Sequence, residues 1–257
     1  MQKYDTIKYM FIPVPKILTV LSEISPLPLY IVGGYVRNYI AEKFISDDID
    51  LAGSIPAEEF AALSDRCGFR VLSRLSGTGT VRIAGGSVNC EYTRFRIDSY
   101  RAGGRHFPDK VEFTDDIYSD ALRRDFKCNA VYYDIKEKKI VDPLGGLVDI
   151  KNRALDTVRP PEEVFRYDGI RLLRLARFAA ELNFTPTEAA IAGARRFAGN
   201  VNGVSEKKIK DEIERIKNAC DKYPFSPPNG LSIAAEVLKK TGIYDFICQK
   251  AQNNAPF

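Results

Sequence analysis

Strand-like and helix-like segments are distributed unevenly along this chain of 257 residues, and the change falls close to residue 150. Before it, short runs rich in β-branched and aromatic residues alternate with turns marked by Gly, Asp and Pro, a pattern typical of strands. From residue 161 onward this pattern disappears, and apolar residues recur at helical spacing. The sequence therefore predicts an α+β fold, in which a mixed sheet with helices precedes an all-helical region.

The predicted elements divide the chain into three regions. Strands are expected at 30–32, 49–52, 70–72, 80–83, 87–93 and 130–134. Helices are expected at 35–44, 56–67, 161–182, 187–197, 205–217 and 231–241, with Ser205 as an N-cap. We therefore expect an α+β head at 1–150, a helical neck at 151–222 and, beginning with a loop rich in Pro and Gly, a final region at 223–257.

Composition excludes several classes of protein. Apolar residues make up 45% of the chain and charged residues 28%, as in globular proteins, and no stretch has the roughly 18 continuous apolar residues of a membrane span. The N-terminus has no secretory signal pattern, so we expect a cytoplasmic protein. The single histidine excludes multi-histidine metal centres, and five cysteines without a C-x-x-C pair argue against zinc knuckles and a disulfide framework. Catalysis must then rest on carboxylates and arginines, with or without a metal ion.

Two glycines separate a predicted strand from a predicted helix in the run Ile-Val-Gly-Gly-Tyr-Val-Arg at 31–37. Glycines let a backbone approach a ligand closely, and the first turn of a helix offers free N–H groups and a positive dipole end to a phosphate. Arg37 lies one turn into the helix and could donate to the same phosphate. The pattern predicts a phosphate site formed by Gly33, Gly34 and Arg37.

Asp48 and Asp50 alternate on the next predicted strand, so they point to the same face. Two carboxylates this close repel each other unless they share a cation, and oxygen-only ligands favour Mg²⁺ or Mn²⁺. A lone Asp-x-Asp is commonly a surface turn, but after Gly-Gly-x-Val-Arg it indicates a phosphoryl-transfer site. Glu91, on a neighbouring predicted strand, is the candidate third carboxylate, and an ordinary exposed glutamate is the alternative.

Four ordered motifs, spread over residues 30–215, resemble the tRNA nucleotidyltransferase and poly(A) polymerase family in its bacterial class, the class II CCA-adding enzymes. The first motif is the Gly-Gly-x-Val-Arg and Asp-x-Asp pair. The second is Leu-Arg-Arg-Asp-Phe-Lys-Cys-Asn-Ala at 122–130, and the third is Asp-Pro-Leu-Gly-Gly-Leu-Val-Asp at 142–149. The fourth is Phe-Arg-Tyr-Asp-Gly-Ile-Arg at 165–171. The loop at 100–111 resembles the mobile loop between the first two motifs.

The resemblance implies a role for each matching residue. The implied ligands of Mg²⁺ are Asp48 and Asp50. The residues implied to bind the triphosphate and position the nucleotide are Gly33, Gly34, Arg37, Arg124, Asp125 and Asn129. Asp168 and Arg171 would hydrogen-bond the base edge of CTP or ATP, and Arg174 and Arg177 would continue the nucleotide site. The implied reaction is template-independent addition of C, A or both to the 3′ end of tRNA.

The residues of the fourth motif are weaker evidence when taken alone. Asp168 and Arg171 are three positions apart on a predicted helix, so they share a face, and a helix-surface ion pair would explain them equally well. The net charge of +4 is concentrated at 151–220. A basic helical region is a weak indication of a phosphate-bearing partner, and a solvated helix surface is the simpler alternative.

The chain departs from the family pattern in four places. Asn38 stands where the first motif usually has Asp, and Lys127 replaces the usual Thr of the second. Tyr167 replaces the Glu that helps to hold the base-reading residues, which leaves CCA, CC-only, A-only or poly(A) addition open. Finally, the family usually continues beyond a point equivalent to Phe257 with a helical body and tail. Without them we expect weak binding to tRNA, unless an oligomer or a partner chain supplies the missing surface.

Several other functions compete with this interpretation. A poly(A) polymerase of the same family shares all four motifs, and product length would separate the two. A catalytically silent RNA-binding or partner-binding subunit is suggested by Tyr167, although the intact carboxylates argue against it. A nucleotidyltransferase acting on a small molecule would not explain the arginine-rich second and fourth motifs. A P-loop kinase is excluded because no G-x-x-x-x-G-K-[ST] occurs.

Overall fold

The computed structural model of the chain describes residues 5–7 and 11–250, with side chains from 11 to 248. These residues form two compact units. The first combines the chain up to Asp98 with Val111–Lys151, and the second combines Ser99–Lys110 with the chain from Asn152 onward. No helix among the described residues is both long and apolar enough to cross a membrane. The five cysteines, all within the described part, are free thiols.

The first unit is built on strands, and the strands of the chain up to Asp142 are β1 (Asp5–Ile7), β2 (Leu29–Val32), β3 (Asp48–Gly53), β4 (Arg70–Leu75), β5 (Thr80–Gly85), β6 (Val88–Arg94), β7 (Arg96–Ser99), β8 (Lys110–Phe113), β9 (Tyr132–Asp134) and β10 (Lys139–Asp142). Eight of them form one sheet in the order β1-β10-β9-β2-β3-β6-β5-β4, and β7 pairs with β8 separately. Within the large sheet β3 and β6 are parallel and the other neighbours are antiparallel. The sheet is therefore mixed, as predicted.

The helices of this part of the chain are α1 (Lys16–Ile24), α2 (Gly34–Glu42), α3 (Ala57–Arg66), α4 (Ile117–Leu122) and α5 (Gly146–Asn152), which leads into the second unit. Helices α2 and α3 pack onto the sheet, and α1 packs against α3. The parallel pairing of β3 with β6 requires a crossover connection, which α3, β4 and β5 provide. Phe60 of α3 stacks on Tyr92 of β6, with ring centroids 3.8 Å apart, and the Tyr92 hydroxyl donates to the Ile55 carbonyl. This buried pair fixes the crossover helix against the strand that carries Glu91.

The second unit is mostly helical, with α6 (Pro161–Tyr167), α7 (Ile170–Leu182), α8 (Glu188–Arg196), α9 (Glu206–Lys217), α10 (Gly230–Lys240) and α11 (Ile243–Lys250). Helix α7 is apolar on most of its surface and is buried along nearly its whole length, packed against α9 and α10. Arg171 and Arg174, three positions apart on one face, are its half-buried residues, and the rest of the helix lies within the bundle.

Every predicted strand overlaps an observed one, but three details of the helical region differ from prediction. The helix predicted at 161–182 is interrupted at Asp168, whose backbone is extended (φ −130°, ψ 101°). The region also contains one short parallel strand pair, β11 (Ala154–Leu155) with β12 (Thr185–Pro186). Ser205 stands at the N-cap of α9, but its side chain makes no capping hydrogen bond.

Candidate active site

The turn between β2 and α2 depends on Gly33. Its backbone lies at φ +78° and ψ −137°, which is accessible to glycine at little cost and strained for other residues. A Cβ at this position would lie 3.2 Å from Oδ2 of Asp50. The glycine therefore lets the carboxylate of Asp50 come close to the start of α2, where free backbone N–H groups are available.

Asp48 and Asp50 are exposed on β3, whereas Ile49 between them is buried. This alternation places both carboxylates on the same face of the sheet. Asp50 is aligned with Val32 of β2 on one side and with Glu91 of β6 on the other. The two aspartates thus lie beside the glycine turn, on the accessible side of their strand.

Glu91 is close to this pair in register, but its carboxylate is already engaged. Nε of Arg82, which is directly opposite on β5, donates to Glu91 Oε2 over 2.6 Å. The hydrogen bond and the charge of Glu91, followed by the charge of Asp48, raise the pKa of Arg82. Arg82 therefore competes with any metal ion for Oε2 of Glu91.

The carboxylates of Asp48 and Asp50 fit a metal ion that takes only one or two ligands from the protein. Within the described part of the chain, no group of three or more His, Cys, Asp or Glu side chains is placed to hold a metal. Mg²⁺ is usually bound by one or two carboxylates and completed by waters and substrate phosphates, rather than by an all-protein cage. Asp48 and Asp50 meet that requirement, whereas a structural ion with only protein ligands does not fit here.

Arg37, predicted to bind the triphosphate, lies inside the unit. It is 1% exposed, and its Nε and Nη2 atoms donate to Asn38 Oδ1 over 3.0 and 2.9 Å. Its Nη1 donates to the side-chain oxygen of Asn129. The Nδ2 atom of Asn38, within the described part of the chain, has no hydrogen-bond partner. Arg37 thus supports the helix from its buried side, and direct contact with phosphate stays a prediction.

Asp125 and Asn129 of the second motif continue this buried network. Asn129 Nδ2 donates to Asp125 Oδ1 over 3.0 Å, and the same oxygen accepts from the Phe126 backbone N–H over 2.8 Å. A chain of hydrogen bonds therefore joins Arg37 on α2 to the segment that follows α4. The first and second motifs, far apart in sequence, are held together by it.

Arg124 is held by Asp120, a residue that the sequence analysis did not single out. Arg124 donates from Nη2 to Asp120 and from Nε to the Tyr132 hydroxyl, over 3.1 and 3.0 Å. Arg123 and the Tyr132 hydroxyl also donate to Asp120, each over 2.7 Å. Burial would raise the pKa of Asp120, but the charges of Arg123 and Arg124 lower it to about 2. The spacing of four residues between Asp120 and Arg124 was the available signal.

In the second unit, Asp168 and Arg171 lie together as an ion pair, with Arg171 Nε 3.4 Å from Asp168 Oδ2. They do not share the face of one continuous helix, because Asp168 lies in the break before α7. Its Oδ1 atom accepts from the Ile170 backbone N–H over 3.1 Å, in the manner of a helix cap. His106 Nδ1 is 3.3 Å from both carboxylate oxygens. Sequence reasoning gave His106 no role.

Arg174 and Arg177 follow on α7, but the structure brings them to different surroundings. Arg177 is buried and donates to Glu212 over 2.7 Å and to Glu181 over 2.9 Å. Arg174 is half-buried, with its guanidinium over the Phe178 ring. The ion pair of Arg177 with Glu212 joins α7 to α9, while nucleotide binding by either arginine stays a prediction. Tyr167 is half-buried at the end of α6.

Comparison with known proteins gives consistent matches. Residues 29–156 match the family described as the poly A polymerase head domain. The chain is 31% identical over 218 residues to the CCA-adding enzyme of Geobacillus sp. (strain WCH70), covering 85% of this chain and 50% of that protein. It is 33% identical over 219 residues to the CCA-adding enzyme of Limosilactobacillus fermentum (strain NBRC 3956 / LMG 18251), covering 83% and 52%.

A solved structure shows the same fold. The crystal structure of the Bacillus stearothermophilus CCA-adding enzyme in complex with CTP aligns with a TM-score of 0.74 and 25% identity, over 90% of this chain and 53% of that one. The chain thus spans about half the length of these relatives. Sequence, fold and the ordered motifs agree: the chain belongs to the family of CCA-adding enzymes and poly(A) polymerases.

Proposed function

We propose that this protein is a template-independent RNA nucleotidyltransferase that adds C, A or both to the 3′ end of tRNA, using CTP and ATP. The observation that carries the proposal is the position of Asp48 and Asp50 on one exposed face of β3, with Asp50 against the Gly33 turn. This arrangement combines cation-binding carboxylates with a phosphate-binding helix start, which are the two requirements of nucleotidyl transfer. The names of the relatives, which are CCA-adding enzymes and in one case a complex with CTP, support addition of C and A and CTP as a substrate.

Different residues of the first unit would bind the metal ion, the triphosphate and the nucleotide. Asp48 and Asp50 would hold Mg²⁺, which, when bound, lowers the pKa of the RNA 3′-hydroxyl and stabilises charge on the phosphate. The turn at Gly33 and Gly34 offers backbone N–H groups to the triphosphate, so that pyrophosphate is held as it leaves. The 3′-hydroxyl attacks the α-phosphate directly, and no covalent intermediate with the enzyme is needed. Arg124, oriented by Asp120, supplies a fixed positive charge for the nucleotide.

Base selection is assigned to Asp168 and Arg171 of the second unit, together called the base-reading pair. A carboxylate accepts a hydrogen bond from the exocyclic amino group that both cytosine and adenine carry, and a guanidinium donates to ring nitrogen or carbonyl oxygen. Uracil lacks that amino group, so it would leave a buried acceptor without its partner. We further propose that catalysis belongs to the head (1–150), that base reading belongs to the neck (151–222), and that the protein works in the cytoplasm.

The second candidate is a poly(A) polymerase, which the head-domain match to residues 29–156 supports equally well. The two activities require the same carboxylates and the same phosphate site, and they differ in which bases are added and when addition stops. A silent binding subunit is disfavoured, because a protein without catalysis has no reason to keep two exposed carboxylates beside a phosphate-binding turn.

The proposal is tested by offering the protein Mg²⁺ and tRNA transcripts that end before CCA, after the first C and after CC. Each nucleotide is supplied separately and together, and products are sized on a gel. Asp48→Asn and Asp50→Asn should abolish addition, whereas Asp47→Asn, a matched change of an exposed neighbouring aspartate, should retain it. Addition that stops at a defined length identifies tRNA end maturation, and a long A tail identifies the second candidate. Addition that survives both substitutions on β3 would refute the assignment of the site.

A further inference from the structure

The segment Ser99–Lys110 forms a loop that is docked within the second unit. Its backbone bonds directly to the break between α6 and α7: the Gly169 N–H donates to the Gly104 carbonyl over 2.9 Å, and the Gly103 N–H donates to the Arg166 carbonyl over 3.4 Å. The loop therefore covers the residue that interrupts the helices, which is Asp168.

Glycines make this docked position possible. A Cβ at Gly104 would lie 2.1 Å from the Asn200 carbonyl oxygen, and one at Gly203 would lie 2.0 Å from the Gly103 carbonyl oxygen. A Cβ at Gly169 would lie 2.3 Å from the same Asn200 oxygen. Real side chains never approach so closely, so the loop can lie here only because these positions carry no side chain. The sequence thus encodes the docked loop and not merely a flexible connection.

The docked loop delivers His106 to the carboxylate of Asp168. His106 Nδ1 lies 3.3 Å from each of the two oxygens, and Ile170 N–H and Arg171 Nε approach the same oxygens from the protein side. The Asp168 side chain is only 5% exposed, whereas that of His106 is 32% exposed. The imidazole thus stands between the carboxylate and the solvent.

A nucleotide base needs the position that His106 takes. The amino group of cytosine or adenine would have to donate to an Asp168 oxygen, and with a proton on Nδ1 His106 donates to those same oxygens. Its distance of 3.3 Å is at the long end for a hydrogen bond, so the contact is replaceable. We propose that His106 closes the base-reading carboxylate in the nucleotide-free protein, and that an incoming CTP or ATP must displace it. This inference rests on the proposed function, in which Asp168 reads the base.

The competition has a quantitative signature. A ligand that binds only the open form loses affinity by the fraction of protein that is open, and this factor is the same for every nucleotide that needs Asp168. Removing the imidazole should therefore tighten CTP and ATP binding equally, by about three- to tenfold, which corresponds to the net contribution of one ordinary hydrogen bond. A residue that merely positions Asp168 would give the opposite result, because its loss would weaken binding and blur base selection.

The experiment measures the dissociation constants of CTP and ATP by calorimetry for the wild-type protein and for His106→Ala. Gly203→Ala, which removes the space occupied by the loop, should tighten binding in the same way without touching the imidazole. Phe107→Leu, a change of the exposed neighbour on the same loop, should leave both constants unchanged. Because the chain has a single histidine, its ring signals in an NMR spectrum belong to His106 alone, and saturating CTP should shift them.

Equal tightening for both nucleotides, together with a CTP-induced shift of the His106 signals, would support the proposal. Unchanged or weaker binding by His106→Ala, unequal factors for CTP and ATP, or CTP binding that leaves the His106 signals unmoved would overturn it. Absence of CTP binding in both proteins would overturn it as well, since Asp168 would then read no base. The incorporation assay judges the proposed function separately: nucleotide addition with unaltered affinities would refute the role of His106 alone.

Discussion

Asp120 organises the arginine cluster of the second motif, and its replacement by asparagine should be costly. The carboxylate is 0% exposed and accepts from Arg123, Arg124 and Tyr132. Asp120→Asn keeps the shape of the side chain but removes its negative charge. The guanidinium groups of Arg123 and Arg124, which are largely buried, then lose the carboxylate that they bind. Breaking a buried ion pair from one side costs about 3–5 kcal/mol, so the free energy of unfolding should fall by about that amount at pH 7.

The pH dependence of stability tests the electrostatic part of this argument. The pKa of Asp120 is about 2 in the folded protein, against an ordinary value of 3.8. A carboxyl group with a lowered pKa contributes stability above its unfolded pKa and loses it as the pH falls through the folded pKa. At 1.36 kcal/mol per unit, the contribution is about 2 kcal/mol, present at pH 7 and lost between about pH 4 and pH 2.

Urea unfolding of the wild-type and Asp120→Asn proteins, followed at several pH values from 7 down to 2, gives the required measurement. The difference between the two proteins should be constant from pH 7 to about pH 5 and should shrink below pH 4. Asp115→Asn, at an exposed aspartate nearby, is the matched control and should change the free energy of unfolding by less than about 0.5 kcal/mol. Equal pH dependence in the two proteins would refute the assignment of a charged, stabilising Asp120.

Three further predictions concern the candidate site. Gly33→Ala should lower the rate of nucleotide addition at least tenfold, measured by single-turnover incorporation, because the backbone is strained at φ +78° and the new Cβ crowds Asp50. Arg82→Ala should lower the Mg²⁺ concentration needed for half-maximal activity, because it frees Glu91 beside the aspartates. Tyr167→Glu should sharpen the preference for CTP and ATP over UTP and GTP in kcat/KM.

Each of these predictions has an outcome that contradicts it. Normal rates for Gly33→Ala would mean that the close approach of Asp50 to the turn is irrelevant to the reaction. For Arg82→Ala, an unchanged Mg²⁺ requirement would mean that Glu91 is not a metal ligand, and Arg74→Ala, on the neighbouring strand, provides the matched loss of an exposed arginine. Unaltered selectivity of Tyr167→Glu would remove position 167 from the account of base choice.

The large features of the fold followed from sequence because they depend on local patterns. Alternating burial on β3 and the glycine turn before α2 are both written in a few neighbouring residues, and so they were predictable. The direction of Arg37 was not, because its guanidinium is turned inward by Asn129, which lies 92 positions away. Sequence spacing fixes where an arginine lies on a helix but not which distant acceptor it finds.

The break between α6 and α7 at Asp168 shows a second limit of prediction from sequence. Apolar residues continue at helical spacing on both sides of it, so the periodicity predicts one helix, while Asp168 and Gly169 prefer a cap and a turn. The helix is interrupted because Gly169 donates its backbone N–H to the Gly104 carbonyl, and Gly103 donates to the Arg166 carbonyl. In a continuous helix these backbone groups would bond within the helix instead. A loop from earlier in the chain decides the local conformation, and no window of neighbouring residues contains that information.

The path of the chain has a consequence for how this protein can be made and divided. Ser99–Lys110 is synthesised between two parts of the first unit, yet it folds with residues that follow Asn152. A ribosome therefore releases this loop well before its packing partners exist, and during that interval Gly104 and His106 have no residues to pack against. For the same reason, dividing the chain at one position cannot give two complete units. A fragment that starts at Asn152 lacks the loop, and a fragment that ends at Lys151 contains the loop without the residues on which it packs. Dissection requires a transplanted copy of the loop, joined to the later fragment.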